Sequence, residues 1–376
     1  MSLSSIELAT GGSSVLRPMQ RGVVIDIPIL ITTVAIAILG CVILYSAVGE
    51  SSSAVFRQAL RFGVAFTVFI IVSQISPRLM RVWTPWVFCI TLGLLIMVLV
   101  NGVVGGGAQR WLDVGIIRFQ PSEIMKICVP MMVAWFMHDR PLPPTFSQLV
   151  VLLLIFCFPA FLIALQPDLG TALLVMLSGG FTVLLAGLSL RLIGILGALT
   201  LGSIPVLWHY MLDYQRARVM TFLSPESDPL GAGYNIIQSK IALGSGGLFG
   251  KGWLNGTQAH LEFLPERSTD FIFAVIGEEF GLLGLLLLLV LYLFLVGRGL
   301  YIAAQAQSTF RRLLAGGLSL TFFVYVFVNS GMVTGLLPVV GVPLPLVSAG
   351  GTSMVTLMAG FGVLAAIHGK RKLLAS

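Results

Sequence analysis

The sequence predicts an all-α polytopic membrane protein with about ten transmembrane helices, and three observations indicate this fold class. Of the 376 residues, 57% are hydrophobic and only 10% are charged, whereas a soluble domain carries about 25% charged residues. Apolar segments long enough to cross a bilayer, about 20 residues each, recur along nearly the whole chain. These segments do not alternate like the strands of a membrane barrel, so helices must satisfy the backbone in hydrocarbon.

The predicted elements begin with a polar segment, residues 1–22, which we expect to be cytoplasmic. The apolar run that begins at Val23 is too long for the core of a signal peptide, so it is predicted to remain as the first helix. Residues 23–369 form one membrane domain, and 370–376 form a cytoplasmic tail. The nine later segments are roughly 54–76, 82–101, 122–138, 147–165, 170–190, 192–212, 271–297, 313–333 and 347–367.

Ten crossings would place both termini on one side, and the basic residues indicate that this side is the cytoplasm. Of the ten basic residues left outside, five lie in one long loop, where the positive-inside rule loses force. The net charge of +7 is therefore interpreted as a topology signal, and no nucleic-acid partner is expected because no soluble face carries a basic stripe. The twelve basic residues predicted inside are Arg17, Arg21, Arg78, Arg81, Arg140, Arg191, Arg298, Arg311, Arg312, Lys370, Arg371 and Lys372.

Two loops are predicted on the outer side, at about 102–121 and 213–270. The second, between the seventh and eighth helices, is much the longer and carries interleaved aromatic residues such as Tyr234 and Trp253. Loops of this length are usually functional or disordered. The aromatic residues favour an ordered extracytoplasmic loop that packs on the membrane surface.

Charged residues at the edges of apolar segments mark candidate sites, because burying an unpaired charge in a membrane is costly. Pro121 suits the first turn of a helix, and Glu123 and Lys126 then lie three residues apart on one face. This pair could be a structural ion pair or the charged wall of a cavity. Asp168, in another Pro-opened helix start, could be a simple cap or a functional carboxylate.

The end of the long loop carries a further carboxylate, Asp270, the last polar residue before a long apolar helix. Ser268 or Thr269 would cap that helix adequately, so capping does not explain Asp270 and a functional role is favoured. Glu278 and Glu279 lie one to two turns deeper without a local partner, and we expect them to face a cavity or another helix.

Other motifs are absent or ambiguous. The stretch before Lys251 is not a phosphate-binding P-loop, because Ser245 occupies the first glycine position and Gly252 the final Ser/Thr position. The scattered histidines and cysteines lack metal-ligand spacing, and no Gly-x-Ser-x-Gly elbow occurs. The Pro/Gly-rich segment 342–352 before the last helix could line a binding site or form a tight turn.

Five motifs occur in order along the chain, at 109–112 (QRWL), 119–123 (FQPSE), 166–171 (QPDLGT), 238–247 (QSKIALGSGG) and 263–273 (FLPERSTDFIF). With these motifs the chain resembles the SEDS family (shape, elongation, division and sporulation), most closely its elongation members, over residues 20–370. The resemblance implies a ten-helix peptidoglycan glycosyltransferase that polymerises lipid II at the periplasmic face of the cytoplasmic (inner) membrane. It implies as partners a class B penicillin-binding protein, which crosslinks the strands, and other membrane proteins of the elongation complex.

The resemblance also implies functional residues, since the essential aspartate of the family corresponds to Asp270. Two positions depart from the common pattern: Ser268 replaces a His, and Ala349 replaces a Tyr. Neither departure removes a carboxylate. The predicted substrate-binding residues are Arg110, Trp111, Gln120, Ser122, Glu123, Lys126, Asp168, Arg216, Arg218, Lys240 and Arg267.

These residues suit an inverting transfer from a lipid-linked diphosphate. The acceptor hydroxyl needs a base, for which Asp270 is the candidate. The diphosphate leaving group needs cations, and the candidates are Arg110, Arg216, Arg218, Lys240, Lys251 and Arg267. A divalent cation, Mg²⁺ or Mn²⁺, would also suit this chemistry because magnesium binds through phosphates and one or two carboxylates. No organic cofactor is expected.

Two other functions are considered. A flippase for the lipid-linked precursor would need polar groups along the whole membrane depth and gates on both sides, whereas most acidic residues here gather toward the outer side. A scaffold that only recruits the transpeptidase would tolerate substitution of Asp270, Glu123 and Lys126, and the cost of placing these charges in a membrane argues against it.

Overall fold

A computed structural model describes residues 23–372 except 106–107, 114, 116–117, 189, 212, 228–232, 261–263 and 265. The predicted segment 1–22 and residues 373–376 of the predicted tail lie outside the described residues. The helices are α1 (Ile27–Ala47), α2 (Ser52–Gln74), α3 (Pro77–Asn101), α4 (Pro121–Met137), α5 (Phe146–Leu165), α6 (Leu169–Leu185), α7 (Leu190–Tyr210), α8 (Asp213–Leu223), α9 (Tyr234–Gly246), α10 (Thr257–His260), α11 (Ile272–Ala304), α12 (Thr309–Val333) and α13 (Gly351–Lys372).

Each of the ten predicted apolar segments coincides with one of these helices, α1 to α7 or α11 to α13, which confirms the all-α polytopic class. Within the described residues, seven helices are long and apolar enough to cross a membrane by length and composition. The helices α4 and α6 are shorter, with 17 residues each. Helix α4 also begins with polar residues, because it carries Glu123 and Lys126 in its first two turns.

Local sequence explains where several helices begin. Asp26 caps α1 by accepting a hydrogen bond from the backbone N–H of Ile29 at 3.1 Å, and Ser76 caps α3 just before Pro77. The Asp26 carboxylate also lies 2.8 Å from both Arg298 of α11 and His368 of α13. The start of α1 and the end of α13 therefore meet at one end of the bundle, which we call the termini end.

The first outer loop forms a small antiparallel sheet that the sequence did not predict. Its strands are β1 (Val103–Gly105), β2 (Ala108–Asp113) and β3 (Arg118–Phe119), in the order β1-β2-β3. A Cβ atom on Gly105 would lie only 2.8 Å from the Trp111 ring, so glycine at this position lets the indole pack on β1. The sheet thereby holds Arg110 and Trp111 beside the start of α4.

The second predicted loop, 213–270, is largely helical and contains α8, α9, α10 and a 3₁₀ turn at Pro225–Ser227. Ser239 of α9 donates a hydrogen bond to the carbonyl of Val333 at 2.9 Å, which ties the loop to the end of α12. The aromatic-rich loop is therefore ordered against the helices over its described part.

Helix α11 is broken at Gly281, whose backbone is left-handed with φ 63°. The loop after α9 fits into the break: the N–H groups of Leu282 and Leu283 donate to the carbonyls of Gly247 and Leu248 at 3.0 and 3.2 Å. A membrane helix tolerates such a break only where other protein groups satisfy the freed backbone. The long loop therefore supports the helix that follows Asp270.

Candidate active site

A polar cavity of about 380 Å³ opens at the end of the bundle opposite the termini end, where α3 ends and α4, α6 and α13 begin. We call this the cavity end. The cavity brings together residues that are far apart in sequence, from β2, from α4, from the start of α6 and from the segment before α11. Seven of the predicted site residues line it: Arg110, Trp111, Gln120, Glu123, Lys126, Asp168 and Asp270.

The backbone around Asp270 is held by two other segments. Asn329 of α12 donates through Nδ2 to the carbonyl of Asp270 at 2.8 Å and to that of Val342 at 2.7 Å. Ser348 donates through its hydroxyl to the carbonyl of Thr269 at 2.5 Å. The backbone at Asp270 is thus fixed at the cavity wall by contacts that the local sequence does not encode.

The environment of Asp270 changes its acidity. Burial is the main reason that the pKa of Asp270 is raised, from 3.8 to about 6. The negative charges of Glu266 and Asp168 raise this pKa further, whereas the positive charge of Arg110 lowers it. A carboxylate with a pKa near 6 is a stronger base than an exposed one and is still ionised at neutral pH.

Asp168 is the cap of α6, and it also lines the cavity. One carboxylate oxygen caps α6 by accepting from the N–H of Thr171 at 3.1 Å. The other accepts from Gln120 Nε2 at 2.9 Å and lies 3.7 Å from Arg110 Nε. Asp168 therefore connects Gln120 and Arg110, which come from the first outer loop, to the start of α6 at the cavity wall.

Glu123 and Lys126 form the predicted ion pair on one face of α4. Lys126 Nζ lies 2.6 Å from Glu123 Oε1, and both side chains are less than one tenth exposed. The ammonium also lies 4.4 Å from the centre of the Tyr325 ring, a favourable cation–π contact. Glu123 Oε2 is buried and has no hydrogen-bond partner among the described residues, so the protein satisfies only one oxygen of this carboxylate.

Sequence reasoning missed several residues of this site. Arg61 of α2 lines the cavity and lies beside Gly351, where α13 begins. Thr352 and Ser353 line the same wall, so the Pro/Gly-broken start of α13 contributes to the cavity. A charge inside an apolar segment is a usable signal for Arg61, but nothing in the sequence distinguishes Tyr325 from other core aromatics.

Five predicted substrate-binding residues are not among the described residues that line the cavity. Ser122 is buried one residue before Glu123. Arg216 donates to the carbonyls of Trp208 and His209 at 3.1 and 2.6 Å, so it caps the end of α7. The side chain of Arg218 lies outside the described residues.

The remaining two of these five contact the ends of other helices. Arg267 donates from Nε to the carbonyl of Ala47 at 2.6 Å, which places it at the end of α1. Lys240 is exposed on α9, and its side chain passes over Gly335 just after α12. Both residues contribute to packing around the cavity end, outside the cavity wall.

Glu278 and Glu279 have no partner near them in the sequence, and their partners come from the long loop and from α1. Glu278 accepts from Lys251 Nζ at 2.7 Å, from the Thr257 hydroxyl at 2.9 Å and from the backbone N–H of Gln258 at 3.1 Å. Glu279 accepts from the Ser46 hydroxyl. The long loop folds back onto α11 and supplies the partners of Glu278. Lys251 is paired with Glu278 and is not among the residues that line the cavity at Asp270.

The two departures from the family pattern lie side by side. The backbone N–H of Ala349 donates to the carbonyl of Ser268 at 2.9 Å, and Ala349 lines the cavity. A methyl side chain at this position leaves more open space near Asp270 than a larger side chain would. Small residues thus occupy both positions where the segments before α11 and α13 meet.

The helical bundle and its one-ended polar cavity define a multi-pass membrane protein with a buried charged site. The family model described as cell cycle protein, which covers FtsW, RodA and SpoVE, matches residues 24–373, and the chain belongs to this family. The chain is 54% identical to the peptidoglycan glycosyltransferase MrdB of Escherichia coli K12 over 351 residues, which cover 93% of this chain and 95% of the relative.

A more distant relative and two solved structures are also similar to this chain. Stage V sporulation protein E of Bacillus subtilis is 34% identical, over 90% of this chain and 95% of its own. The crystal structure of the rod shape determining protein RodA of Thermus thermophilus matches with a TM-score of 0.70 at 28% identity, covering 92% of this chain and 97% of that one. A chain from a study of the structural coordination of polymerization and crosslinking by a peptidoglycan synthase complex matches with a TM-score of 0.81 at 32% identity, covering 92% and 98%.

Proposed function

We propose that this chain is a peptidoglycan glycosyltransferase that polymerises lipid II, with Asp270 as its general base. The observation that carries the proposal is the cavity itself, in which the half-buried carboxylate of Asp270 lies beside Arg110 and Lys126. The 54% identity to a relative named peptidoglycan glycosyltransferase supports the same reaction.

In the proposed reaction, the 4-hydroxyl of the acceptor lipid II attacks the anomeric carbon of the donor sugar. A new C–O glycosidic bond forms while the bond from that carbon to the diphosphate oxygen breaks, and the electron pair leaves with the diphosphate. Asp270 accepts the proton of the hydroxyl. Its raised pKa, about 6, suits this role because a base works best when its pKa is close to the working pH.

The departing diphosphate develops negative charge, which nearby cations stabilise. Arg61, Arg110 and Lys126 line the same cavity as Asp270 and can supply this charge. Arg110 is the strongest candidate because a guanidinium can hold two phosphate oxygens at once. No strong acid is then needed for the leaving group, so one carboxylate base is sufficient.

A divalent cation, Mg²⁺ or Mn²⁺, fits the cavity only in part. No group of three or more His, Cys, Asp or Glu side chains that could hold a metal occurs among the described residues. The carboxylates of Asp270 and Glu123 could each add one oxygen to a cation held by the diphosphate, and the cation would supply positive charge there. We expect a chelator to slow polymerisation and Mg²⁺ or Mn²⁺ to restore it, and an unchanged rate would exclude this role.

The orientation and the partners follow from the proposed reaction. The cavity end would face the periplasm in the cytoplasmic (inner) membrane, where lipid II is polymerised. A class B penicillin-binding protein would then crosslink the product, a pairing supported by the likeness to a chain from a complex of polymerization and crosslinking.

A flippase remains the alternative function. The cavity that adjoins the Asp270 cavity through Glu123 and Lys126 is small, about 30 Å³, and is lined mainly by apolar side chains such as Leu318, Phe322 and Leu364. Translocation needs a polar route between the two ends, so this arrangement supports the polymerase.

The decisive experiment compares Asp270→Asn with the wild type in a reconstituted assay that separates glycan strands on gels and also follows lipid II translocation. Loss of the base should reduce polymerisation by at least about 100-fold without changing thermal stability. Asp113→Asn is the matched control, because Asp113 is paired with Arg118 at 2.7 Å on the outer sheet. Full polymerisation by Asp270→Asn would overturn the assignment, and translocation without polymer by the wild type would favour the flippase.

A further inference from the structure

A second polar region lies at the termini end, where α3 and α12 begin and α4 ends. Two adjoining cavities open there, of about 520 Å³ and about 260 Å³, and both have Arg81 and His138 in their walls. Arg140 lines the larger cavity, and Arg78 and Arg311 line the smaller one. We call these five residues and the two cavities the basic cleft.

Positive charge in the basic cleft is not neutralised by the protein around it. The carboxylate that lines the larger cavity, Asp139, is 92% exposed and lies 3.6 Å from His138 Nε2. Within the described part of the chain, no carboxylate forms an ion pair with any of the four arginines. Four like charges around shared cavities repel one another, and an anion bound between them would relieve that repulsion.

Two helix N-termini add to the positive potential. Ser76 caps the start of α3 and Ser308 caps the start of α12. Pro77 and Ser308 both line the smaller cavity. Helix N-termini carry partial positive charge, which favours anions such as phosphate.

The level of the cleft in the membrane indicates the source of the anion. Val82 and Trp135 line the larger cavity and are 61% and 37% exposed. Trp83 and Trp86, close by on α3, are 54% and 66% exposed. Tryptophan gathers at the level of lipid headgroups, so the arginines lie at that level with apolar surface beside them.

We propose that the basic cleft binds an anionic phospholipid whose phosphates contact the four arginines and whose acyl chains lie along Val82, Trp83 and Trp135. Because two cavities share Arg81 and His138, the cleft offers two adjacent phosphate positions. It therefore favours a lipid with two phosphates, such as cardiolipin, over a lipid with one. Basic pockets between membrane helices are known to hold such headgroups.

This site is separate from the cavity at Asp270. The two lie at opposite ends of α4, whose 17 residues span about 25 Å at 1.5 Å per residue. Lipid bound in the cleft would bridge the ends of α3, α4 and α12. It would thereby stabilise three of the helices that position the cavity, whatever reaction the cavity catalyses.

Native mass spectrometry of the purified full chain in neutral detergent tests the proposal, with cardiolipin, phosphatidylglycerol, phosphatidylethanolamine and inorganic pyrophosphate as separate probes. We expect cardiolipin to bind most tightly, then phosphatidylglycerol, with phosphatidylethanolamine weakest. Excess pyrophosphate should not displace cardiolipin. If excess pyrophosphate displaced cardiolipin, the cleft would be a site for soluble anions and the lipid proposal would be wrong.

Variants of the cleft locate the binding. Arg81→Gln should weaken cardiolipin binding about fivefold, and Arg81→Gln with Arg311→Gln about 25-fold, since each basic residue contributes about 1 kcal/mol. Arg81→Lys, which retains the charge, should recover most of the affinity and guards against a folding defect. Arg312→Gln is the matched control, because Arg312 is exposed on α12 beside Arg311 and is not among the described residues that line the cleft. Equal loss of affinity in Arg312→Gln and Arg81→Gln would overturn the proposal in favour of diffuse surface charge.

Discussion

Carboxylates at the cavity end and in α11 differ in what surrounds them. Asp270 and Glu123 line an open cavity of about 380 Å³, and Glu123 Oε2 has no hydrogen-bond partner among the described residues. Glu278, two turns into α11, is fully buried and accepts hydrogen bonds from Lys251, Thr257 and Gln258.

This difference shows that burial of a charged residue in a membrane protein does not by itself indicate a function. A carboxylate whose hydrogen bonds are made by the protein stabilises a structure, and removing its charge leaves the partner buried without compensation. A carboxylate that faces open volume has capacity for a ligand. The substitutions below test this distinction, beginning with the largest expected effect.

Glu278→Gln should destabilise the protein by about 3 kcal/mol, because it breaks a largely buried ion pair with Lys251. Thermal unfolding in detergent measures the loss, and polymerisation per folded molecule should stay close to the wild-type rate. Glu226→Gln, an exposed change in the same loop, is the control and should leave stability unchanged. A large loss of specific activity with normal stability would place Glu278 in the active site and contradict its structural role.

Arg110→Gln should have the opposite pattern, with lower activity and little change in stability. The loss of charge-assisted contacts to the diphosphate, worth about 1.5–3 kcal/mol, corresponds to a rate about 10–100-fold lower. Arg110→Lys should be intermediate, because an ammonium does not make the paired contacts of a guanidinium. Arg118→Gln on the neighbouring strand β3 serves as the matched change, and an equal effect there would contradict the role of Arg110. Initial rates of lipid II polymerisation are the measurement.

The pH dependence of polymerisation gives the smallest and most specific effect. The base must be ionised, so the rate should fall as the pH drops through about 6, the raised pKa of Asp270. Glu266 contributes to this raised pKa through its negative charge, so Glu266→Gln should lower the pKa and move the acid limb to lower pH, by less than about one pH unit. Because burial is the larger cause, the limb should still lie above the ordinary Asp value of 3.8. A shift to higher pH in Glu266→Gln would contradict the proposed base.

Most of the fold could be predicted because hydrocarbon permits few alternatives. Long apolar runs must be helical, and each of the ten predicted runs coincides with a helix. The sheet of the first outer loop was missed because strands of 3, 6 and 2 residues carry too little periodicity. The break at Gly281 was missed because a glycine in an apolar run resembles any helical glycine until a second segment packs against it.

The candidate site could be predicted only in part. Arg110, Asp168 and Asp270 stand in short motifs with polar residues at helix starts, and the fold brings them into one cavity. Arg216 and Arg267 are likewise charged residues in a predicted outer loop, yet their hydrogen bonds go to the ends of α7 and α1. Their roles in substrate binding remain predictions, and that of Asp270 is tested by Asp270→Asn.

By itself, the sequence determined that this is a membrane protein, which segments form its apolar helices and which few charged residues lie at their edges. It could do so because hydropathy is a local property of the chain. Only the tertiary structure decided which of those charges are satisfied by the protein and which face open space. That choice depends on contacts across long sequence separations, such as Lys251 with Glu278 and Asn329 with Asp270. A one-dimensional pattern does not contain such contacts, because they arise only when the loop and the helices pack together.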